Sequence, residues 1–328
     1  MKPIRRILVA VKETGARSQP AIDKAALLAK KLGASVELFH AIAEPVYFDS
    51  PQQPEAELSE LRERRRDWHL ARLHAAASRL CDTGVQACAY ADWDFPIHEA
   101  IIRRATAIKA DLIVADSPVR TRLARWLLHL TDWELLRLSP LPVLLVKTRE
   151  LYERPIVLAA VDPMHAHAKP ANLDKAILDY GSCVARALSG SLHVVHARPP
   201  LPLDSSPSLI IRDTQGDILQ TRREQKARAE FAKCANEAGV PRARQHFVDG
   251  DPSVVLPERA QRLGADLVVM GAVSRSGLRR IFIGNTAERV LRELPTDVLV
   301  VKPEGFKRRI ARLPRGVPVI STRTPPAI

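Results

Sequence analysis

The stretch ADLVVMGAVSRSGLRRIFIGNTAERVLRELPTDVLVVKP, residues 265–303, has a near twin in ADLIVADSPVRTRLARWLLHLTDWELLRLSPLPVLLVKT, residues 110–148. Aligned without gaps, the two share roughly 15 of about 39 positions, from Ala-Asp-Leu at the start to Val-Lys near the end. Each opens on an apolar run (LVVM, LIVA), crosses a polar segment and a helical pattern, and closes on a second apolar run (VLVV, VLLV). Short runs that are apolar on both faces mark strands of a parallel sheet covered by helices on both sides.

The repeat extends outward from this core. ILVAVKE (Ile7 to Glu13) corresponds to IVLAAVDP (Ile156 to Pro163), and VELFHA (Val36 to Ala41) to LHVVHA (Leu192 to Ala197). The seam lies near Arg149 to Pro155. Each half reads strand, helix, strand, long helix, strand, helix, strand, helix, strand. DKAALLAKKLG, from Asp23, ends on Gly33, and its counterpart LDKAILDYGSCVARALSG ends on Gly190; a glycine just past a helix is its natural C′ residue. EAELSELRERRRDWHLARLHAAASRL reads as the long helix of the first half, with RERRR as a solvated face. The expectation is an α/β protein of two tandem, doubly wound, five-stranded parallel-sheet domains, 1–150 and 151–304, followed by a tail, 305–328. Ligands of such sheets sit outside the carboxyl ends of the strands, where Lys12, Asp116, Asp162 and Gly271 fall.

Bulk properties narrow the function classes. The four cysteines, Cys81, Cys88, Cys183 and Cys234, show neither CxxC nor metal-ligand spacing and read as reduced cytosolic thiols. No run approaches the ~20 apolar residues of a membrane span, and the apolar run after the basic start is too short for a signal core. A soluble, cytoplasmic protein is expected. Of the net charge of +13, +6 comes from Lys307, Arg308, Arg309, Arg312, Arg315 and Arg323 in a tail free of Asp and Glu, which leaves +7 for the rest. With Pro314, Pro318, Pro325 and Pro326, the tail reads as a disordered arm, either simply solvated or in contact with anionic partners such as nucleic acid or lipid.

Together the repeat, both loop regions and both closing strands resemble the universal stress protein family in its tandem two-domain form. TDWELLRLSPLPVLLVK and GNTAERVLRELPTDVLVVKP are especially similar to its E-type branch. The resemblance runs from about Ile4 to Glu304 and leaves out the tail. It implies a Rossmann-like, adenine nucleotide alpha-hydrolase-like fold and a cytoplasmic stress-response role with no assigned reaction. It also implies pairing of the two domains within one chain, with room for a homodimer. Nucleotide-binding members of the family hold ATP with an acidic residue after the first strand and a loop patterned G-x2-G-x9-G-[S/T].

Carried over residue by residue, that pattern places Asp162, Met270, Gly271, Ser274, Gly277, Gly284, Asn285 and Thr286 around one pocket in the second half. Gly271 and Gly284 match, Ser274 stands where a glycine belongs, Asn285 stands where Ser or Thr belongs with Thr286 one place on, and Gly277 is an extra glycine in the spacer. Serine in a left-handed loop position costs roughly 1 kcal/mol or more, which weakens a phosphate cradle. Arg275, Arg279 and Arg280 beside it would attract an anion. Asn285 and Glu288 have the spacing of a helix N-cap with an acidic N3 residue, a structural alternative to ligand contact. In the first half Lys12 replaces Asp162, while Asp116, Val119, Arg122, His129 and Leu130 replace Gly271, Ser274, Gly277, Gly284 and Asn285. That half is not expected to bind nucleotide in the family's way.

No catalytic triad, Walker loop or GxGxxG fingerprint is present. His165 and His167 could begin a metal site but have no evident third ligand, and His40 and His196, at matching strand ends, read as structural histidines. The expected function is non-catalytic. No cofactor is required, and ATP or another adenine nucleotide is the candidate ligand of the second domain. The rivals are a slow ATP hydrolase using the same pocket and a nucleic-acid-associated protein acting through its tail.

Overall fold

In a computed structural model of the chain, the described residues are 3–44, 46–48, 55–117, 130–165, 172–199, 214–271, 285–303, 305–306, 310–311, 313–315 and 319–321. The first half runs β1 (Arg6–Ala10), α1 (Pro20–Leu32), β2 (Ser35–Ile42), β3 (Val46–Phe48), α2 (Glu55–Asp82), β4 (Ala87–Trp93), α3 (Ile97–Ala107), β5 (Leu112–Asp116), α4 (Leu130–Leu138) and β6 (Val143–Val146). The second half runs β7 (Ile156–Ala160), α5 (Leu173–Ala187), β8 (Ser191–Arg198), α6 (Thr214–Glu237), β9 (Gln245–Asp249), α7 (Pro252–Leu263), β10 (Leu267–Gly271), α8 (Asn285–Glu293) and β11 (Asp297–Val301). A last short strand, β12 (Val319–Ser321), lies in the tail.

In the first half the strand order is β4-β2-β1-β5-β6, and in the second β9-β8-β7-β10-β11. The paired strands within each half are parallel. The expected α/β class and doubly wound parallel sheets are therefore present. Each apolar run identified in the sequence is a buried strand: Ile113 and Val114 of β5, and Val268 and Val269 of β10, have no exposed surface. Burial on both faces explains why these runs lack polar alternation. Among the described residues no helix is long and apolar enough to cross a membrane.

Helix ends follow local chemistry. Gly33 closes α1 at φ 64°, its N–H donating to Ala29 O, in the left-handed conformation that glycine adopts without steric cost. The second half differs at the corresponding point. Helix α5 stops at Ala187, and Ser189 takes the left-handed position at φ 54°. Gly190 serves a different purpose, because a Cβ there would come within 2.1 Å of Pro155 O. The chain crosses itself closely at the start of β7, and only a glycine leaves room.

Among the described residues, contacts divide the chain between Leu151 and Tyr152 into two compact units, and the tail residues from 310 onward group with the first half. The seam itself is anchored in the second half, where the buried Tyr152 hydroxyl donates to Asp297 Oδ2 at 2.5 Å. Burial, with the Asp297 carboxylate adding to it, holds the Tyr152 hydroxyl well above its ordinary pKa, so the phenol stays protonated as donor. The described residues of the tail differ from the disordered arm that its composition suggests. Its strand β12 pairs in parallel with β3, and Arg315 binds the first half through Asp94 and Glu99. Composition could not anticipate acidic partners that only the folded chain brings together.

Candidate functional site

Strand order reverses between β7 and β10 in the second half, and between β1 and β5 in the first. Outside the carboxyl ends of such a pair lies the crevice that doubly wound sheets use for ligands. Register sets the floor of each crevice. Ala160 pairs with Met270 in the second half and Ala10 with Ala115 in the first, so Asp162 and Gly271 stand together, as do Lys12 and Asp116. The two crevices are equivalent in backbone and opposite in chemistry.

In the second half, the Asp162 side chain is 28% exposed, and its backbone N–H donates to Asp174 Oδ1 at 3.0 Å. His196, at the end of β8, is buried; its Nδ1–H donates to Val161 O at 3.1 Å, and the same nitrogen lies 3.8 Å from Asp162 Oδ1. A carbonyl oxygen can only accept, which fixes the proton on Nδ1. Phe231 of α6 and Phe247 of β9 pack on the ring with centroids 6.1 and 5.2 Å away. His196 therefore props the end of β7, the strand that leads into Asp162. His40 plays the same part in the first half, with Nδ1 2.8 Å from Val11 O. Both act structurally, as the sequence indicated.

Met270 is buried and Gly271 partly so, both at the end of β10. The structure changes the reading of Gly271. Its φ is not in the left-handed region, and a Cβ there would meet Leu173 Cδ2 at 2.7 Å and Ile177 Cδ1 at 3.3 Å. The glycine lets the first turn of α5 close onto β10. Helix α8 starts at Asn285, with Thr286 exposed in its first turn; Ser274, Gly277, Gly284 and the side chain of Asn285 lie outside the described residues. So do the three arginines beside Ser274 and one of the two histidines, His167, considered for a metal. The structure thus brings together Asp162, Met270 and Gly271, and adds Asp174 and Leu173, which sequence reasoning missed. The available signal was the LDKA start of α5, an acidic first turn facing the crevice.

Among the described residues, charged side chains of the first-half crevice pair with one another. Lys12 Nζ donates to Asp132 Oδ1 at 2.7 Å, and Ser117 Oγ donates to Asp132 Oδ2 at 2.8 Å. Asp132, in the first turn of α4, is 1% exposed. Asp116 Oδ1 accepts the N–H of Ala21 in the first turn of α1 at 2.9 Å. Carboxylates thus stand at both helix N-termini bordering the crevice, the positions that attract anions. The sequence carried a signal for this too: Lys12 replaces Asp162 while Asp132 replaces Ala287, a compensating pair of charges.

Residues 3–147 and 154–302 each match the model of the Universal stress protein family. Universal stress protein E of Escherichia coli strain K12 is 28% identical over 296 residues, covering 88% of this chain and 91% of the relative. The protein of the same name from Photorhabdus laumondii is 27% identical over 311 residues, covering 92% and 96%. A solved structure described as a putative universal stress protein from Pseudomonas aeruginosa UCBPP-PA14 superposes with a TM-score of 0.71 at 28% identity, covering 92% of this chain and 94% of that one.

Proposed function

The chain belongs to the universal stress protein family, in tandem two-domain form, and from that premise we propose that it is a non-catalytic, cytoplasmic stress-response protein with one adenine-nucleotide pocket, in its second half. The observation that carries this reading is the contrast between equivalent crevices. Where the first half sets Lys12 against a buried carboxylate, the second sets the partly exposed Asp162 carboxylate beside a glycine. Asp162 and Asp174 make that side of the crevice an acceptor surface, suited to amino and hydroxyl groups of an adenosine rather than to its phosphates. The phosphates belong on the side of Ser274, Gly277, Gly284, Asn285 and Thr286. Pairing of the two halves within the chain belongs to the same reading.

Calorimetry and thermal shift with millimolar ATP and AMP test the proposal. Saturable binding that disappears in Asp162→Ala supports it. Absence of any heat or shift, or binding that survives this substitution, removes it. Phosphate release at a rate above that of Asp162→Ala would convert the reading to a hydrolase.

A further inference from the structure

The turn from β4 into α3 holds two carboxylates and one guanidinium. Asp94, 5% exposed, follows the last residue of β4, and its N–H donates to Ile42 O at the end of β2. Glu99 lies in the first turn of α3. Arg103, one turn further along the helix, donates from Nε to Asp94 Oδ2 at 2.9 Å, from Nη2 to Asp94 Oδ1 at 2.7 Å and from Nη1 to Glu99 Oε2 at 3.1 Å. One cation between two largely buried anions leaves a negative charge whose burial is costly unless it is paired.

That charge is met by the tail. Arg315 Nη2 donates to Glu99 Oε1 at 3.1 Å, and the Arg315 backbone N–H donates to Asp94 Oδ1 at 3.2 Å. Arg103 Nη1 returns a bond to Ala311 O at 3.0 Å. A few residues on, Val319, Ile320 and Ser321 of β12 pair with Val46, Tyr47 and Phe48 of β3, the strand that follows β2. Side-chain charge, backbone donor, backbone acceptor and strand pairing all fix the same segment, and all at the carboxyl ends of β2 and β4, the same end of the sheet as the β1–β5 crevice.

We propose that Asp94 and Glu99 form a docking seat for the basic tail of this chain, and that its described residues, 310–311, 313–315 and 319–321, strap the β2–β4 side of the first half. The seat recognises a guanidinium followed by an extended strand. In the docked state Arg315 is committed to the protein itself, so that any ligand approaching the ends of β2 and β4 must first displace the strap.

Hydrogen–deuterium exchange on the full chain tests this through three peptides, one spanning 310–321, one spanning 46–48 and one within β5 as a control of folding. In the wild type, the amides of Val319–Ser321 should exchange about ten-fold or more slowly than an unstructured peptide. Arg315→Glu should remove this protection and raise exchange at 46–48 with it, leaving β5 unchanged, while Arg315→Lys should lose only part. Raising the wild type from low salt to 1 M salt should act in the same direction, since exposed ion pairs are screened. An unprotected wild-type tail, or protection that Arg315→Glu leaves intact, overturns the proposal. So does loss confined to the tail with 46–48 unaffected, because the strap would then not depend on that strand.

Discussion

At the residue scale, the first-half crevice turns on Asp132. Its carboxylate accepts from Lys12 and Ser117 while almost wholly buried, and Lys12 remains 32% exposed. Asp132→Asn keeps the shape but leaves the lysine facing a neutral amide. Because water reaches Lys12, the loss should be about 1–3 kcal/mol rather than the larger cost of a fully buried pair, read as a fall in urea midpoint. An unchanged midpoint would mean that the pair contributes nothing. A second residue, His69 of α2, sets an acid limit. It is 5% exposed, accepts or donates at Thr14 Oγ1 through Nδ1 at 2.9 Å, and stacks on His40 with centroids 4.4 Å apart. Burial first, and then the nearby His40, Arg65 and Arg72 against the opposing Glu44, lower its pKa to about 4. The unfolded chain takes up this proton near 6.5 and the folded chain only near 4, so stability should fall as pH drops through that window. One such group contributes a slope of up to about 1.4 kcal/mol per pH unit. His246, likewise lowered to about 4, adds to the total. The decisive measurement is therefore a difference, in which His69→Gln has a shallower loss of urea stability between pH 6.5 and 4.5 than the wild type. Equal slopes would remove His69 from the account.

At the scale of elements, Gly271 separates two explanations for a glycine in this position. If it served only close approach to phosphate, Gly271→Ala would matter only with nucleotide present. The structure places Leu173 and Ile177 of α5 where the new methyl would go, so Gly271→Ala should destabilise the protein without ligand. Overpacking of this kind costs typically about 1–3 kcal/mol. Trimming the obstacle in Gly271→Ala/Leu173→Ala should cost less than the sum of the two single substitutions, and strict additivity would argue against the contact. This position also shows what the sequence made legible. The strands were readable because runs such as VVM and LIV must be apolar on both faces, and the repeat fixed their order. Asp162 and Gly271 were readable as neighbours because both stand at carboxyl ends of strands in one sheet, and Met270 joined them only through the family resemblance. The contact of Gly271 with α5 was not, since glycine for backbone freedom and glycine for helix packing leave the same letter. Nor was the β3–β12 pair: two three-residue strands far apart in sequence carry no periodic signal, and a proline-rich basic tail resembles solvated chain.

At the scale of the whole molecule, duplication has given one backbone plan two fates. In the first crevice Lys12 is paired with the buried Asp132, while the second has an acidic residue and a glycine at the equivalent strand ends. Under the proposed function, this asymmetry has a countable consequence, namely a stoichiometry of one nucleotide per chain and never two. Isothermal titration with ATP should give a single-site isotherm. Nucleotide at about 100 times its dissociation constant should then stabilise the protein by about 2.7 kcal/mol. Asp132→Asn should lower the baseline stability without changing that number, because it vacates no nucleotide site. Asp162→Ala should abolish the heat with little change in baseline, since its carboxylate is partly exposed. A two-site isotherm in the wild type, with one site surviving Asp162→Ala, would place nucleotide in the first half and refute the division of labour between the halves.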